Sequence, residues 1–204
     1  MISKDKAHDL ARSTGWLALQ SVKLQDEVIS RCHLRNFREK ETLFHVGDPY
    51  AGLYCLVDGV VRIEFAAGGG DYKIASVAQP VFWFGEGASF RRGSYLITTV
   101  AQKPVSALHL PHQDFERLIE TPAYCRALAL LSVDHFDECL QLLGQLLIGD
   151  VEQRIAVRLA MLAEGLNGAP PVVHVTQSDL AEMCGLSRPT VQQALASLQR
   201  RGVV

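Results

Sequence analysis

Four hydrogen-bonding side chains stand close together near the C-terminus of this 204-residue chain: Arg188, Thr190, Gln192 and Gln193. Arginine, glutamine and hydroxyl groups pair with base edges in the DNA major groove and with phosphate oxygens. The apolar residues of the same segment repeat at helical spacing, which leaves these four on a free polar face. The pattern indicates DNA recognition, and the expected interface is Thr176, Gln177, Ser187, Arg188, Thr190, Gln192 and Gln193.

The surrounding residues predict two short helices joined by a tight turn. Thr176 is a suitable N-cap for the first helix, with Asp179 as a weaker form of the capping-box acid, and Gly185 ends that helix. Ser187 is a suitable N-cap for the second helix, which we expect over residues 187–201. The small Ala181 lets the helices cross closely, so the pattern favours a helix-turn-helix over an ordinary helix pair in a core.

The composition fits a folded protein, with 48% hydrophobic residues and a net charge of -2. Because no apolar run reaches about 18 residues and the N-terminus lacks the apolar centre of a signal peptide, we expect a cytoplasmic protein without membrane contact. The five cysteines are scattered without a CxxC pair, which argues against disulfides and against zinc. They are Cys32, Cys55, Cys125, Cys139 and Cys184.

The charge balance gives no general attraction to a polyanion. From residue 176 onward only Arg188, Arg200 and Arg201 stand against Asp179 and Glu182. A single copy is therefore expected to bind DNA weakly, whereas two copies on one duplex multiply the phosphate contacts.

Residues 37–110 alternate short apolar strands with turns, a pattern typical of a small barrel or roll. Leu53 to Phe65 reads as an antiparallel hairpin closed by Asp58 and Gly59. A second turn is expected at residues 68–71, and later strands at residues 95–100 and 105–110.

A long helix is predicted after Pro122, with two apolar stripes at helical spacing. Two apolar stripes give the helix two surfaces to bury, and we assign the first stripe to a dimer contact between two copies. The alternative is a central helix buried inside one subunit. The first stripe is Leu128, Leu131, His135, Cys139, Leu142 and Leu146, and the second is Val133, Phe136, Leu140, Leu143 and Leu147.

A further helix is expected from Asp150, an N-cap with Gln153 at the capping-box position, to the GLNGAPP segment. Residues 172–175 fit a strand bordering a winged helix-turn-helix. Only three residues follow Arg201, so we expect the wing to be missing. The predicted class is α+β, with a β-roll sensor domain at 1–120, a dimerisation helix at 121–149 and a DNA-binding domain at 150–204.

Together these segments resemble the CRP/FNR superfamily of bacterial transcription regulators. FREKETLFHVGDPYAGLYCLVDGVVRI resembles the start of its cyclic-nucleotide-binding roll, FGEGASF its phosphate cassette, DVEQRIAVRLAMLA the start of its DNA domain, and TQSDLAEMCGLSRPTVQQAL its helix-turn-helix. The resemblance implies a homodimer on a two-fold symmetric site, an effector in the roll, and RNA polymerase as a partner.

The resemblance also identifies a departure in the effector site. Cyclic-nucleotide binders of the family follow a Gly-Glu pair by an Arg-Ser or Arg-Thr pair about ten residues on. Here Gly85 and Glu86 are present, but the later positions hold Leu96 and Ile97. A buried phosphate without a cation is costly, so cAMP is disfavoured, and an uncharged ligand or none is expected. The expected pocket is Gly85, Glu86, Ser89, Leu96, Ile97, Thr98 and Cys139.

Other chemistries find less support in the sequence. No N-terminal cysteine cluster suggests an iron-sulfur centre, and the seven histidines show no haem-ligand motif. The alternatives are a cupin-like metal-dependent enzyme or a small-molecule-binding module that does not bind DNA. A cupin metal site needs an HxH motif, whereas His109 and His112 form only HxxH. Neither a metal site nor an enzyme is therefore expected. His135 and Cys139, one turn apart, are either a redox pair or core residues at the dimer seam.

Overall fold

The computed structural model describes residues 2–67, 71–164 and 172–203. Within them, three helices precede the strands: α1 (Lys4–Ser13), α2 (Gly15–Ala18) and α3 (Val22–Arg31). The strands are β1 (His33–Phe37), β2 (Thr42–Phe44), β3 (Gly52–Asp58), β4 (Val61–Ala66), β5 (Tyr72–Ala78), β6 (Phe82–Phe84), β7 (Ile97–Ala101) and β8 (Val105–Pro111). Helix α4 (Glu86–Arg91) lies between β6 and β7, and the chain continues with α5 (His112–Ile119), α6 (Pro122–Leu146), α7 (Val151–Ala163), α8 (Gln177–Met183) and α9 (Arg188–Arg200). The predicted α+β class is confirmed.

The strands form two four-stranded antiparallel sheets, ordered β1-β8-β3-β6 and β2-β7-β4-β5. Apolar side chains from both sheets share one core, which includes Leu43, Phe44, Leu56, Val61 and Phe84. This arrangement is the expected roll, and the later strands β7 and β8 lie close to where the sequence places them.

The predicted hairpin between β3 and β4 is wrong. Strand β3 pairs with β6 and β8, while β4 pairs with β5 and β7, so the turn at Asp58 and Gly59 carries the chain from one sheet to the other. Gly59 has a φ of +91°, and a Cβ there would lie 2.3 Å from the Pro104 carbonyl oxygen. The glycine is therefore needed for a close crossing between sheets.

The hairpin prediction fails because β3 is buried on both faces. Leu53 and Cys55 pack into a core under the helices, whereas Tyr54 and Leu56 pack into the core between the sheets. Because buried backbone N–H and C=O groups need hydrogen-bond partners, such a strand pairs along both edges, and alternation alone does not tell with which strands.

Helix α6 is the predicted long helix, but the assignment of its first stripe to a dimer contact is wrong for Leu128 and Leu131. They are 0% and 4% exposed and belong to the core that contains Trp83 and Phe115. Residues this deeply buried within one subunit are not available to a second copy. His135, with 20% of its side chain exposed, also faces the roll, while Cys139 and Leu146 are exposed and Leu142 is half-buried.

The second stripe is the exposed one. At about 100° of rotation per helical residue, its side chains point about 130° away from the direction of Leu128 and Leu131. Their exposed fractions are 50% for Val133, 60% for Phe136, 50% for Leu140, 60% for Leu143 and 86% for Leu147.

The C-terminal helices begin where the sequence predicts. Asp150 caps α7 by accepting a hydrogen bond from the Gln153 N–H at 2.7 Å. Residues 172–175 form no strand, contrary to the prediction. Residues 68–70 of the turn expected at 68–71, and the GLNGAPP segment, lie outside the described residues.

Candidate functional site

Helices α8 and α9 form the predicted helix-turn-helix. The Thr176 hydroxyl accepts a hydrogen bond from the Asp179 N–H at 3.0 Å, and the Ser187 hydroxyl accepts one from the Thr190 N–H at 3.3 Å. Between the helices, Gly185 adopts a φ of +62°, a conformation that favours glycine. Caps and turn together fix where each helix begins and ends.

Helix α9 presents a polar face to solvent. Val191, Ala194 and Leu198 are buried beneath it, whereas Arg188, Gln192 and Gln193 are exposed. The buried side anchors the helix and leaves the two amides and the guanidinium facing solvent.

The remaining residues of the expected interface lie at the start of each helix. The Gln192 side-chain amide donates to the Gln177 amide oxygen at 3.0 Å, which links the two helices across the turn. Thr190 is half-buried, and its hydroxyl lies 2.7 Å from that of Ser187. Thr176 is exposed and serves as the cap of α8.

The helix-turn-helix packs against the second sheet of the roll. Val60, Ile74 and Val77 from the roll share a core with residues of α7, α8 and α9. Glu182 accepts a hydrogen bond from the Ile74 N–H at 2.8 Å, and Asp179 accepts one from the Gln102 side chain. Asp179, expected only to help cap α8, therefore also holds that helix on the roll.

A cavity of about 1030 Å³ lies where the roll meets α6 and α7. Of the seven predicted pocket residues, five line it: Gly85, Glu86, Leu96, Ile97 and Cys139. Ser89 and Thr98 do not, and their inclusion is wrong. Ser89 is a fully buried residue of α4 whose hydroxyl donates to the Gly85 carbonyl, and the Thr98 hydroxyl accepts a hydrogen bond from the Val46 N–H at 3.0 Å.

The cavity contains a buried acid–imidazole pair. Glu86 is 6% exposed, and its Oε1 lies 2.8 Å from His135 Nδ1. Burial alone lowers the pKa of His135, but the hydrogen bond to Glu86 and the charge of that carboxylate outweigh burial and raise the pKa above its usual value. The other oxygen, Glu86 Oε2, is buried without a hydrogen-bond partner among the described residues. Sequence reasoning missed this pair, because His135 is read there only as part of an apolar stripe with Cys139.

The cavity does not match the cyclic-nucleotide site that the family resemblance implies. Leu96, at the position expected for the phosphate-binding arginine, is 64% exposed and carries no charge. Arg92 forms a 2.6 Å ion pair with Glu116, and Arg91 donates to the Gly87 and Ser94 carbonyls. Neither arginine therefore replaces the missing cation at position 96.

A different cation does line the cavity, and no sequence motif identifies it. Arg158 of α7 is 1% exposed and reaches the Ala75 carbonyl on β5, so it joins α7 to the roll. In the sequence, Arg158 stands among the apolar residues of an amphipathic helix, and an arginine in such a helix is usually expected at the surface.

The histidines of the HxxH pattern occupy separate environments. His109 is buried, and its Nε2 lies 3.2 Å from the Ala51 carbonyl oxygen; burial lowers its pKa to about 4. His112 begins α5 and contacts the Tyr50 ring edge-on. Across the described ranges, no three His, Cys, Asp or Glu side chains are grouped as metal ligands, and no helix is both long and apolar enough to cross a membrane.

Comparison with known proteins gives matches to both halves of the chain. The cyclic nucleotide-binding domain matches residues 34–122, and the Crp-like helix-turn-helix domain matches residues 153–204. The cAMP-activated global transcriptional regulator CRP of Pasteurella multocida is 25% identical over 182 residues, covering 86% of this chain and 87% of that protein. The cyclic AMP receptor protein of Thermus thermophilus is 28% identical over 180 residues, covering 88% of this chain and 82% of that protein.

The solved structure of FixK2 from Bradyrhizobium japonicum has the same fold, with a TM-score of 0.75 at 20% identity over 84% of this chain and 86% of that one. Regulators of this kind bind DNA as dimers and are not enzymes. Because an effector-type domain and a Crp-type helix-turn-helix follow one another along one chain, this protein belongs to the CRP/FNR family of DNA-binding transcription regulators.

Proposed function

We propose that this protein is a homodimeric regulator that reads a two-fold symmetric DNA site with α9 and responds to an effector other than cAMP in the cavity of the roll. The observation that carries the proposal is the division of α9 into a buried apolar side and an exposed hydrogen-bonding side. A helix inside a core would bury its glutamines, whereas a recognition helix needs them at the surface.

The exposed stripe of α6 supports the dimer. Val133, Phe136, Leu140, Leu143 and Leu147 follow one another in steps of three and four, the spacing of a coiled-coil seam. Pairing two copies of α6 along this stripe would remove its apolar surface from water and would present two copies of α9 to one duplex.

The effector is proposed to differ from that of the named relatives. The names of the Pasteurella and Thermus proteins describe regulators that respond to cAMP. In this chain Leu96 cannot offset the charge of a cyclic phosphate, and Glu86 is already paired with His135. The resemblance to the family further suggests RNA polymerase as the partner at the promoter.

The test is selection of bound fragments from a random DNA library, followed by footprinting of an enriched site. We expect a two-fold symmetric site, and we expect Arg188→Ala to weaken specific binding by about 1–3 kcal/mol while relaxing one base position. Arg117→Ala is the matched control, because Arg117 is an exposed arginine on α5 outside the helix-turn-helix. An unchanged footprint and affinity for Arg188→Ala would remove that residue from the interface, and failure to enrich any symmetric site would overturn the proposal.

A further inference from the structure

Arg158 is a buried guanidinium whose charge has no counterpart nearby. Its Nη2 donates to the Ala75 carbonyl, and the same nitrogen lies 3.0 Å from Met183 Sδ. Its Nε is buried without a hydrogen-bond partner among the described residues. Burial lowers the pKa of Arg158, as expected for a cation removed from water.

No carboxylate compensates this charge. Within residues 2–67, 71–164 and 172–203, no acidic side chain lies within ion-pair distance of Arg158. The sequence between those ranges, GGG and GLNGAPP, holds no acidic residue. A buried charge normally has a partner, because an unpaired one costs several kcal/mol.

The other charges of the cavity do not fill this role. Glu86 is paired with His135. Glu138, Glu164 and Arg91 also line the cavity but are exposed, so water screens their charges. Arg158 is thus the buried, uncompensated charge of the described cavity wall.

We infer that the cavity binds a small organic anion, with its phosphate or carboxylate group on Arg158 and its apolar body against the neighbouring hydrophobic walls. The inference rests on the proposed presence of an effector site in this cavity and names its ligand chemistry. A guanidinium offers several N–H donors in one plane, a geometry that suits both anions. The walls beside it are apolar, formed by Ile63, Phe82, Leu142 and Met161.

The position of Arg158 gives the ligand contact with both halves of the protein. Strand β5, which accepts the Arg158 hydrogen bond at Ala75, belongs to the roll, while α7 leads into α8 and α9. An anion on Arg158 would thus be held by the DNA-binding segment itself as well as by the roll. Its binding free energy then depends on how these two parts sit against each other, which is the requirement for coupling a ligand to DNA affinity.

The experiment titrates the full-length protein, without DNA, with phenyl phosphate, benzoate and phenol, and measures affinity by calorimetry. Phenol carries the same ring without the charge and is the matched ligand control. We expect phenyl phosphate, benzoate or both to bind at least tenfold more tightly than phenol, and the stronger anion identifies the phosphate or carboxylate class. Equal affinity for phenol and both anions would overturn the inference on the wild-type protein alone.

The variants locate the site. We expect Arg158→Gln to weaken binding of the preferred anion at least tenfold, and Arg158→Lys, which keeps the charge but loses the planar fork, to weaken it less. Arg91→Gln, at an exposed cation of the same cavity, should leave the affinity within threefold. If Arg158→Gln does not fold, the lysine variant and the wild-type comparison decide the outcome. Unchanged anion affinity in both Arg158 variants would overturn the inference.

These titrations are independent of the DNA experiments. Anion binding that is lost in the Arg158 variants, in a protein that selects no symmetric DNA site, would support this inference and overturn the proposed function. Normal DNA selection with no preference for anions would overturn this inference alone.

Discussion

Replacing Leu140 by glutamate should separate the dimer along the exposed stripe of α6. The exposed fractions of the five stripe residues amount to roughly three whole side chains per subunit, and burying them would contribute about 6 kcal/mol per subunit at about 2 kcal/mol each. The two subunits together gain about 12 kcal/mol, whereas association costs about 4–15 kcal/mol, so the dimer has little surplus free energy.

The substitution acts twice in a symmetric dimer. Each subunit loses the burial of half a leucine, about 1 kcal/mol, and two carboxylates then face each other across an apolar seam, which costs at least about another 1–2 kcal/mol. A total of about 3–4 kcal/mol corresponds to a rise of about 100- to 1000-fold in the dimer dissociation constant.

Sedimentation equilibrium over a range of micromolar concentrations measures this constant directly. Asp134→Ala is the control, because Asp134 is exposed on α6 but points well away from the stripe. A dissociation constant for Leu140→Glu within threefold of the wild type would refute the assignment of this seam, as would a wild-type protein that stays monomeric throughout.

Two further predictions concern the roll. His135→Ala should cost about 3 kcal/mol of unfolding free energy at pH 6, since it leaves the buried Glu86 unpaired. Because the pKa of His135 is raised, the pair stabilises the fold below pH 6.5, and this contribution is lost as pH rises through the raised value. Melting temperatures should therefore fall more in the wild type than in His135→Ala as pH rises from 6. Parallel curves for the two proteins would contradict the pairing. Gly52→Ala should cost at least about 3 kcal/mol in urea unfolding, because φ is +139° and the new Cβ would lie 2.0 Å from the Leu110 carbonyl oxygen. Gly87→Ala, with no heavy atom within 4 Å of its Cβ, should change stability by less than about 1 kcal/mol, and equal losses in the two variants would refute the steric reason.

The helix-turn-helix was predictable because its signals are local. Thr176, Ser187 and Asp150 each cap the helix that the sequence assigns to them, and each accepts a hydrogen bond from the N–H three residues later. A cap, a turn glycine and an apolar repeat act within about one or two helical turns, so neighbouring residues are enough to identify them.

The strand pairing was not predictable by the same means. A tight Asp58-Gly59 turn normally closes a hairpin, but here the strands on either side of it lie in different sheets. The pairing is decided by which surfaces cover Leu53 and Tyr54 on the two faces of β3, and those surfaces come from residues far away in sequence.

The two stripes of α6 show the same limit at the candidate site. Periodicity identifies both stripes, but it is symmetric between them and cannot say which one faces the roll. In the structure, the first stripe faces the roll. His135 contacts Glu86, a residue 49 positions earlier in the chain, and Leu128 and Leu131 are buried. Because a histidine beside a buried carboxylate fixes one face of α6 inward, the opposite face, centred on Leu140, is left for a second subunit. The Glu86–His135 pair in the cavity and the seam of the proposed dimer therefore lie on different faces of one helix.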